Sequence, residues 1–235
     1  MEPRSLADVL RNIKEPDRWA DHAALRRVLM EVPSVRGMVY GNVAEIEFAE
    51  WLVDNGIPAE DHLRDDDHLK TKSDRTILYG GRRYTIQLKS MQTNSIKEPE
   101  PRRFTAKIQC DASDKRKVPL PSGREIETTC YVVGEFHVLG VALHPFVGKW
   151  DFAFKLNDDL PRSTYHGYTE EEREYLLKTL VDIEFPLTEE GGWTTDLLGL
   201  LDGSPDLGDV LDENGHRKVV RPPGEDETIV VKQDE

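Results

Sequence analysis

The stretch "DRTILYGGRRYTIQLKS", residues 74–90, decides the fold. Two runs of strand-forming residues, 75–79 and 82–89, flank Gly80-Gly81, the composition of a hairpin closed by a two-residue turn. Such a turn fixes the register: with Tyr79 facing Arg82, Asp74 comes directly across from Gln87, and Lys89 lies on the same face one diagonal step away. Ile77, Tyr84, Ile86 and Leu88 take the other face as core. The hairpin therefore predicts a carboxylate, an amide and an ammonium gathered on one side of a sheet.

Working outward, residues 21–32 place Leu25, Val28, Leu29 and Val32 at helical spacing behind Asp21 as a cap. "PSVRGMVYG" breaks that pattern, and "NVAEIEFAEWLVDNGIP" predicts a second helix that begins at Gly41-Asn42 and is stopped by Asn55, Gly56 and Pro58. On it Glu45 lines up with Phe48, Ala49 and Leu52 on the packed side, while Glu47 joins Glu50 and Asp54 toward water. Beyond the hairpin, residues 91–128 read as an irregular basic insertion holding a second hairpin, with Asp-Ala-Ser-Asp and Pro-Ser-Gly as turn material. Residues 130–154 supply two or three Val-, Phe- and Leu-rich strands that complete the sheet. "TEEEREYLLKTLVDI", 169–183, predicts a helix with its acids in the first turn, and the Gly-, Pro- and acid-rich tail from Asp202 predicts a mobile extension or a clasp on the core. The fold class is α/β, a mixed central sheet flanked by helices: a helical extension at 1–40, a core at 41–160 with the insertion at 91–128, and an acidic helix and tail at 161–235.

The chain has 235 residues, 32% of them charged, and a formal net charge of -14. No apolar run approaches the ~20 residues of a membrane span and the N-terminus lacks the order of a signal peptide, so a cytoplasmic, non-membrane protein is expected. Cys110 and Cys130 show no metal-ligand spacing and read as buried thiols. The negative charge is uneven: residues 161–235 carry 19 acids and 7 bases, whereas residues 70–117 carry 13 bases and 5 acids. A local excess of +8 around the hairpin suits a polyanionic partner. Arg82, Arg83, Arg102, Arg103, Lys107, Lys115, Arg116 and Lys117 are the candidate phosphate contacts.

An aspartate, a second oxygen ligand and a lysine on one sheet face are suited to phosphodiester hydrolysis. Asp74 can hold Mg²⁺, a hard cation that prefers oxygen; the ion activates water and neutralises phosphate charge, and Lys89 orients the attack. A single acid would hold the ion weakly, so Glu45 is expected as the second carboxylate, with the Gln87 amide oxygen as a third ligand. A helix acid stabilised by the dipole is the other reading of Glu45. Asp65–Asp67 are consecutive and cannot converge on one ion, which makes a polar loop the reading there. His137 is a candidate to line the site or a satisfied core histidine. No HExxH, nucleophile elbow or phosphate-binding Gly loop occurs.

Gly41, Glu45 and Gly56, followed by Asp74 and Gln87-Leu88-Lys89, resemble the PD-(D/E)XK nuclease superfamily, with helix spacing like that of archaeal Holliday-junction resolvases. The resemblance covers about residues 41–90. It implies a restriction-endonuclease-like fold in which Asp74 and Glu45 bind the metal, Lys89 is the motif lysine, and Gln87 replaces the second acid, as in the QxK form of Mrr-like restriction enzymes. Ser73 stands where the motif has Pro. The family's helix between the motif lysine and the next strand is missing here, its place taken by the basic insertion. In function the resemblance implies a Mg²⁺-dependent endonuclease of double-stranded DNA, with Mn²⁺ as a substitute, of type II-like restriction function, and a homodimer by family analogy. A junction or repair nuclease, an inactive nucleic-acid-binding module of the same fold, and a protein-interaction domain working through its acidic C-terminal third are the rivals.

Overall fold

The computed structural model describes residues 22–60, 74–120, 123–204, 207, 210–211 and 217–218. The acidic triplet at 65–67 and most of the C-terminal tail lie outside them. The chain divides into two compact units, Met1–Val43 and Ala44–Glu235. In the first, α1 (His22–Glu31) is followed after Val32 by the start of α2 (Pro33–Asp54). The sequence placed the start of α2 at Gly41; it begins eight residues earlier because Pro33 takes the first helical position, where its missing N–H costs nothing. Gly37 and Gly41 are carried inside the helix at the usual glycine penalty. Glu45 is therefore in the helix interior, not in a first turn where the dipole would stabilise it.

In the second unit a mixed sheet runs β1-β2-β3-β8-β9, built from Ala59–Glu60, Arg75–Tyr79, Arg82–Lys89, Val138–Ala142 and Phe152–Leu156. Gly80 and Gly81 both sit at positive φ, 57° and 75°, which only glycine adopts without strain and which closes the β2-β3 hairpin. The observed register pairs Tyr79 with Arg82, Ile77 with Tyr84 and Arg75 with Ile86, as the two-residue turn requires. On one face of the sheet Ile77, Tyr84, Ile86, Leu88 and Phe154 pack against Ala44, Phe48 and Leu52 of α2 and against Leu197 and Leu201 of α5 (Leu197–Asp202). Phe48 stacks on Trp51 and meets Phe152 and Phe154 edge-on or tilted.

Strands β3 and β8 are parallel, with Gln87 beside Leu139 and Lys89 beside Val141. Parallel neighbours need a long crossover, here residues 90–137, and it is made of strands instead of the customary helix. β4 (Lys97–Glu100) and β5 (Arg103–Gln109) join β10 (Leu180–Phe185) in a second sheet ordered β10-β5-β4, and β6 (Asp111–Pro119) pairs with β7 (Glu125–Cys130). Asp111–Asp114, expected as turn material, lies in β6, where the pairing slips between Asp111 and Arg116. The second face of the central sheet, with Leu139, Val141 and Ala153, is covered by this layer through Met91, Ile108, Val181 and Ile183.

The helix expected over 169–183 is cut short. α4 (Glu170–Tyr175) opens with a capping box between Thr169 and Glu172, and then the alternating Val181, Ile183 and Phe185 form β10 against β5. Alternation of apolar residues prevails over helix propensity once a partner strand can cover them. A further helix, α3 (His144–Val147), links β8 to β9. The described part of the tail includes Leu207, packed against the α2 side of the sheet, and the short pair β11 (Val210–Leu211) and β12 (Arg217–Lys218). Among the described residues no helix is long and apolar enough to cross a membrane.

Candidate active site

Asp74 immediately precedes β2, and its Oδ2 ties that end of the hairpin to β3: it accepts from the Leu88 backbone N–H at 2.6 Å and from the Gln87 side-chain amide. Because the amide nitrogen faces a carboxylate, the orientation of the Gln87 side chain is set; turned over, two oxygens would oppose each other. Gln87 is 3% exposed, and its Oε1 is buried with no hydrogen-bond partner among the described residues. A buried, unpaired amide oxygen costs about 1–3 kcal/mol and calls for a ligand.

Lys89 is on the same sheet face, its Nζ 5.3 Å from the centroid of the Tyr131 ring. Burial pulls its pKa down, but the Tyr131 oxygen and the Asp74 carboxylate outweigh that and leave it above the ordinary lysine value. The pKa of the Tyr131 phenol is also raised, chiefly by burial and against the pull of Lys89. Near neutrality the pair is therefore an ammonium and a neutral phenol. Tyr131 was not singled out from the sequence; "CYVVGEF" carries no sign of it, since its nearness to Lys89 is produced by the crossover.

Glu45 is on α2, which packs against the opposite face of the sheet from Gln87 and Lys89. One tie from this residue to the hairpin runs through the backbone: the Arg75 guanidinium, 3% exposed, donates to the Glu45 carbonyl at 3.2 Å. Helix residue 45 is thus beside the end of β2 where Asp74 lies. Among the described residues no three His, Cys, Asp and Glu side chains form a metal-binding group. Two adjacent oxygen donors for an ion here are a carboxylate oxygen of Asp74 and the orphaned Gln87 Oε1, with residue 45 of α2 beside the same strand end. This set fits a hard cation such as Mg²⁺ or Mn²⁺ and does not suit zinc.

His137 does not line this cluster. Its Nδ1 accepts from the Thr85 N–H at 2.9 Å and lies 2.7 Å from the Thr85 hydroxyl, and its ring meets Tyr84 edge-on. It is a buried tie between β3 and the approach to β8. Cys110 and Cys130 are buried free thiols, as expected, and burial pushes the Cys110 pKa up to about 12.

The basic residues separate into groups. Arg82 and Arg83 are at the turn end of β3, roughly 14 to 17 Å from Gln87 at strand rise. Arg102 and Lys115 are exposed, Arg103 pairs with Glu100 at 3.3 Å, Lys107 with Asp182 at 2.9 Å, and Lys117 with Glu125 at 3.2 Å. Arg116 turns inward, bonding Glu135 at 2.5 Å and the Cys130 carbonyl at 3.1 Å, so it is a poor phosphate contact. Much of the sequence's local positive excess is spent on internal ion pairs.

No family model matches the chain, and no curated protein matches its sequence. Among solved structures, a bacterial homing endonuclease, I-Ssp6803I, is similar at 12% identity and a TM-score of 0.39, over 72% of this chain and 96% of that one. That likeness is too distant to carry a fold or a function across.

Proposed function

We propose that this chain is a divalent-metal-dependent endonuclease of double-stranded DNA, with its site at Asp74, Gln87 and Lys89. The observation that carries the reading is the buried Gln87 Oε1, left without a hydrogen-bond partner among the described residues beside a carboxylate and on the same face as a lysine. Asp74 and Gln87 supply oxygen ligands, and Glu45 is the second carboxylate. When bound, Mg²⁺ or Mn²⁺ offsets phosphate charge and acidifies water. The Lys89 ammonium orients the attacking water and stabilises charge on the five-coordinate phosphate. Exposed Arg102 and Lys115 contact the DNA backbone. Restriction of foreign DNA by a homodimer, one site per strand, is the role that the QxK form suggests; junction or repair cleavage is the alternative within the same chemistry.

The test is cleavage of supercoiled plasmid by the full chain in Mg²⁺ and Mn²⁺, with Asp74→Ala and Lys89→Ala alongside. Loss of nicking in both variants, with DNA binding retained, supports the reading. Salt-sensitive binding without cleavage in any divalent metal would instead mark a module that only holds nucleic acid.

A further inference from the structure

Two cations share one buried ring. Tyr131, 6% exposed, follows β7 and packs edge-on against Phe136 at 5.3 Å. Lys89 Nζ lies 5.3 Å from its centroid and Arg116 Cζ 5.7 Å. Arg116 is fixed in turn by the Glu135 carboxylate and the Cys130 carbonyl, and Glu135 also accepts from the Val132 N–H at 2.9 Å. The segment around Tyr131 is thus clamped on both sides of the aromatic residue. A lysine head at the end of a flexible four-carbon stem is not positioned by its backbone, so a group acting at one point on a phosphate needs an external stop.

We propose that Tyr131 is a positioning residue for Lys89, its ring and hydroxyl holding the ammonium on the Asp74–Gln87 face, and that Arg116 holds Tyr131 in place. The catalytic consequence rests on the endonuclease reading; the placement of Lys89 does not. Tyr131→Leu removes ring and hydroxyl, Tyr131→Phe the hydroxyl alone. In single-turnover cleavage, Tyr131→Leu is expected to lose about tenfold or more in rate, with Tyr131→Phe between it and wild type. DNA affinity measured in Ca²⁺ should stay within about twofold of wild type, because only the reacting step is misplaced.

Independently of cleavage, the Lys89 Hε resonances should move on Tyr131→Leu through loss of the ring current, while those of Lys97 stay put. The wild-type comparison with Tyr131→Phe, which keeps the ring, gives the same readout if the leucine variant fails to fold: the Lys89 shifts should then remain displaced from those of an exposed lysine. Unmoved or undisplaced Lys89 resonances, or wild-type cleavage by Tyr131→Leu, would overturn the inference. A wild type that never cuts DNA while its Lys89 resonances respond would overturn the endonuclease reading and leave the placement standing.

Discussion

Replacing Gln87 by glutamate sets a second acid beside Asp74, and the hydrogen bonds around Asp74 set what that exchange costs. The Gln87 amide donates to Asp74 Oδ2, and Gln87 is only 3% exposed. Gln87→Glu removes a charge-assisted hydrogen bond, worth about 1.5–3 kcal/mol, and sets a second carboxylate against Asp74. A net loss of about 2–4 kcal/mol is expected at pH 8 in EDTA, a fall in Tm of roughly 4–16 °C for a chain of this size. The introduced carboxyl has a folded pKa above its unfolded value, so the penalty is full above the carboxylate range and shrinks as pH falls through it. Divalent metal reverses the order: each tenfold gain in affinity adds about 1.4 kcal/mol at saturation, and Mn²⁺ should raise the Tm of Gln87→Glu by more than that of wild type. Thermal melts of both proteins in EDTA and Mn²⁺, at pH 5 and 8, measure all of this. Equal stability in EDTA at pH 8, or equal stabilisation of the two by metal, would refute the assignment of Gln87 as a ligand beside Asp74.

Arg116→Ala and Lys115→Ala should behave oppositely. The first removes the cation facing the largely buried Glu135 carboxylate and is expected to lower urea stability by about 3 kcal/mol; the second should leave stability within about 0.5 kcal/mol while reducing the salt slope of DNA binding by about 1. With its pKa near 12 and no exposure, Cys110 has a thiolate fraction on the order of 10⁻⁴ at pH 8, so disulfide reagents should label it only after denaturant is added. Gly140→Ala brings a Cβ to 3.0 Å from Leu88 and 3.5 Å from Ile86 and Phe154, and is expected to cost about 1–3 kcal/mol in chemical denaturation by overpacking the sheet under α2.

The hairpin was readable because its information is local: two glycines that alone tolerate the turn fix every pair up to Asp74 and Gln87. The two faces of β3 came from the same alternation. What escaped reading depended on distant partners. The segment 180–185 has enough leucine and valine for a helix and became a strand because β5 offered an edge. The start of α2 is set by Pro33, upstream of the two glycines that look like a boundary in the sequence. Arg116 looked like its basic neighbours, and only the folded crossover brings Glu135 and Tyr131 to it. Tyr131 itself is remote from Lys89 along the chain, yet its ring centre lies 5.3 Å from the ammonium in space.

The parallel pairing of β3 with β8 gives the stretch between them an unexpected standing. In the sequence it resembles a removable graft, basic and irregular, between two halves of a motif. In the fold the chain has to pass through it before the middle of the sheet can close, and loop-closure entropy opposes that closure until the excursion has condensed. The same excursion supplies the wall against which the lysine rests. Excising it would not trim an ornament; it would pull the keystone from the arch, opening the sheet and disarming the site in one cut.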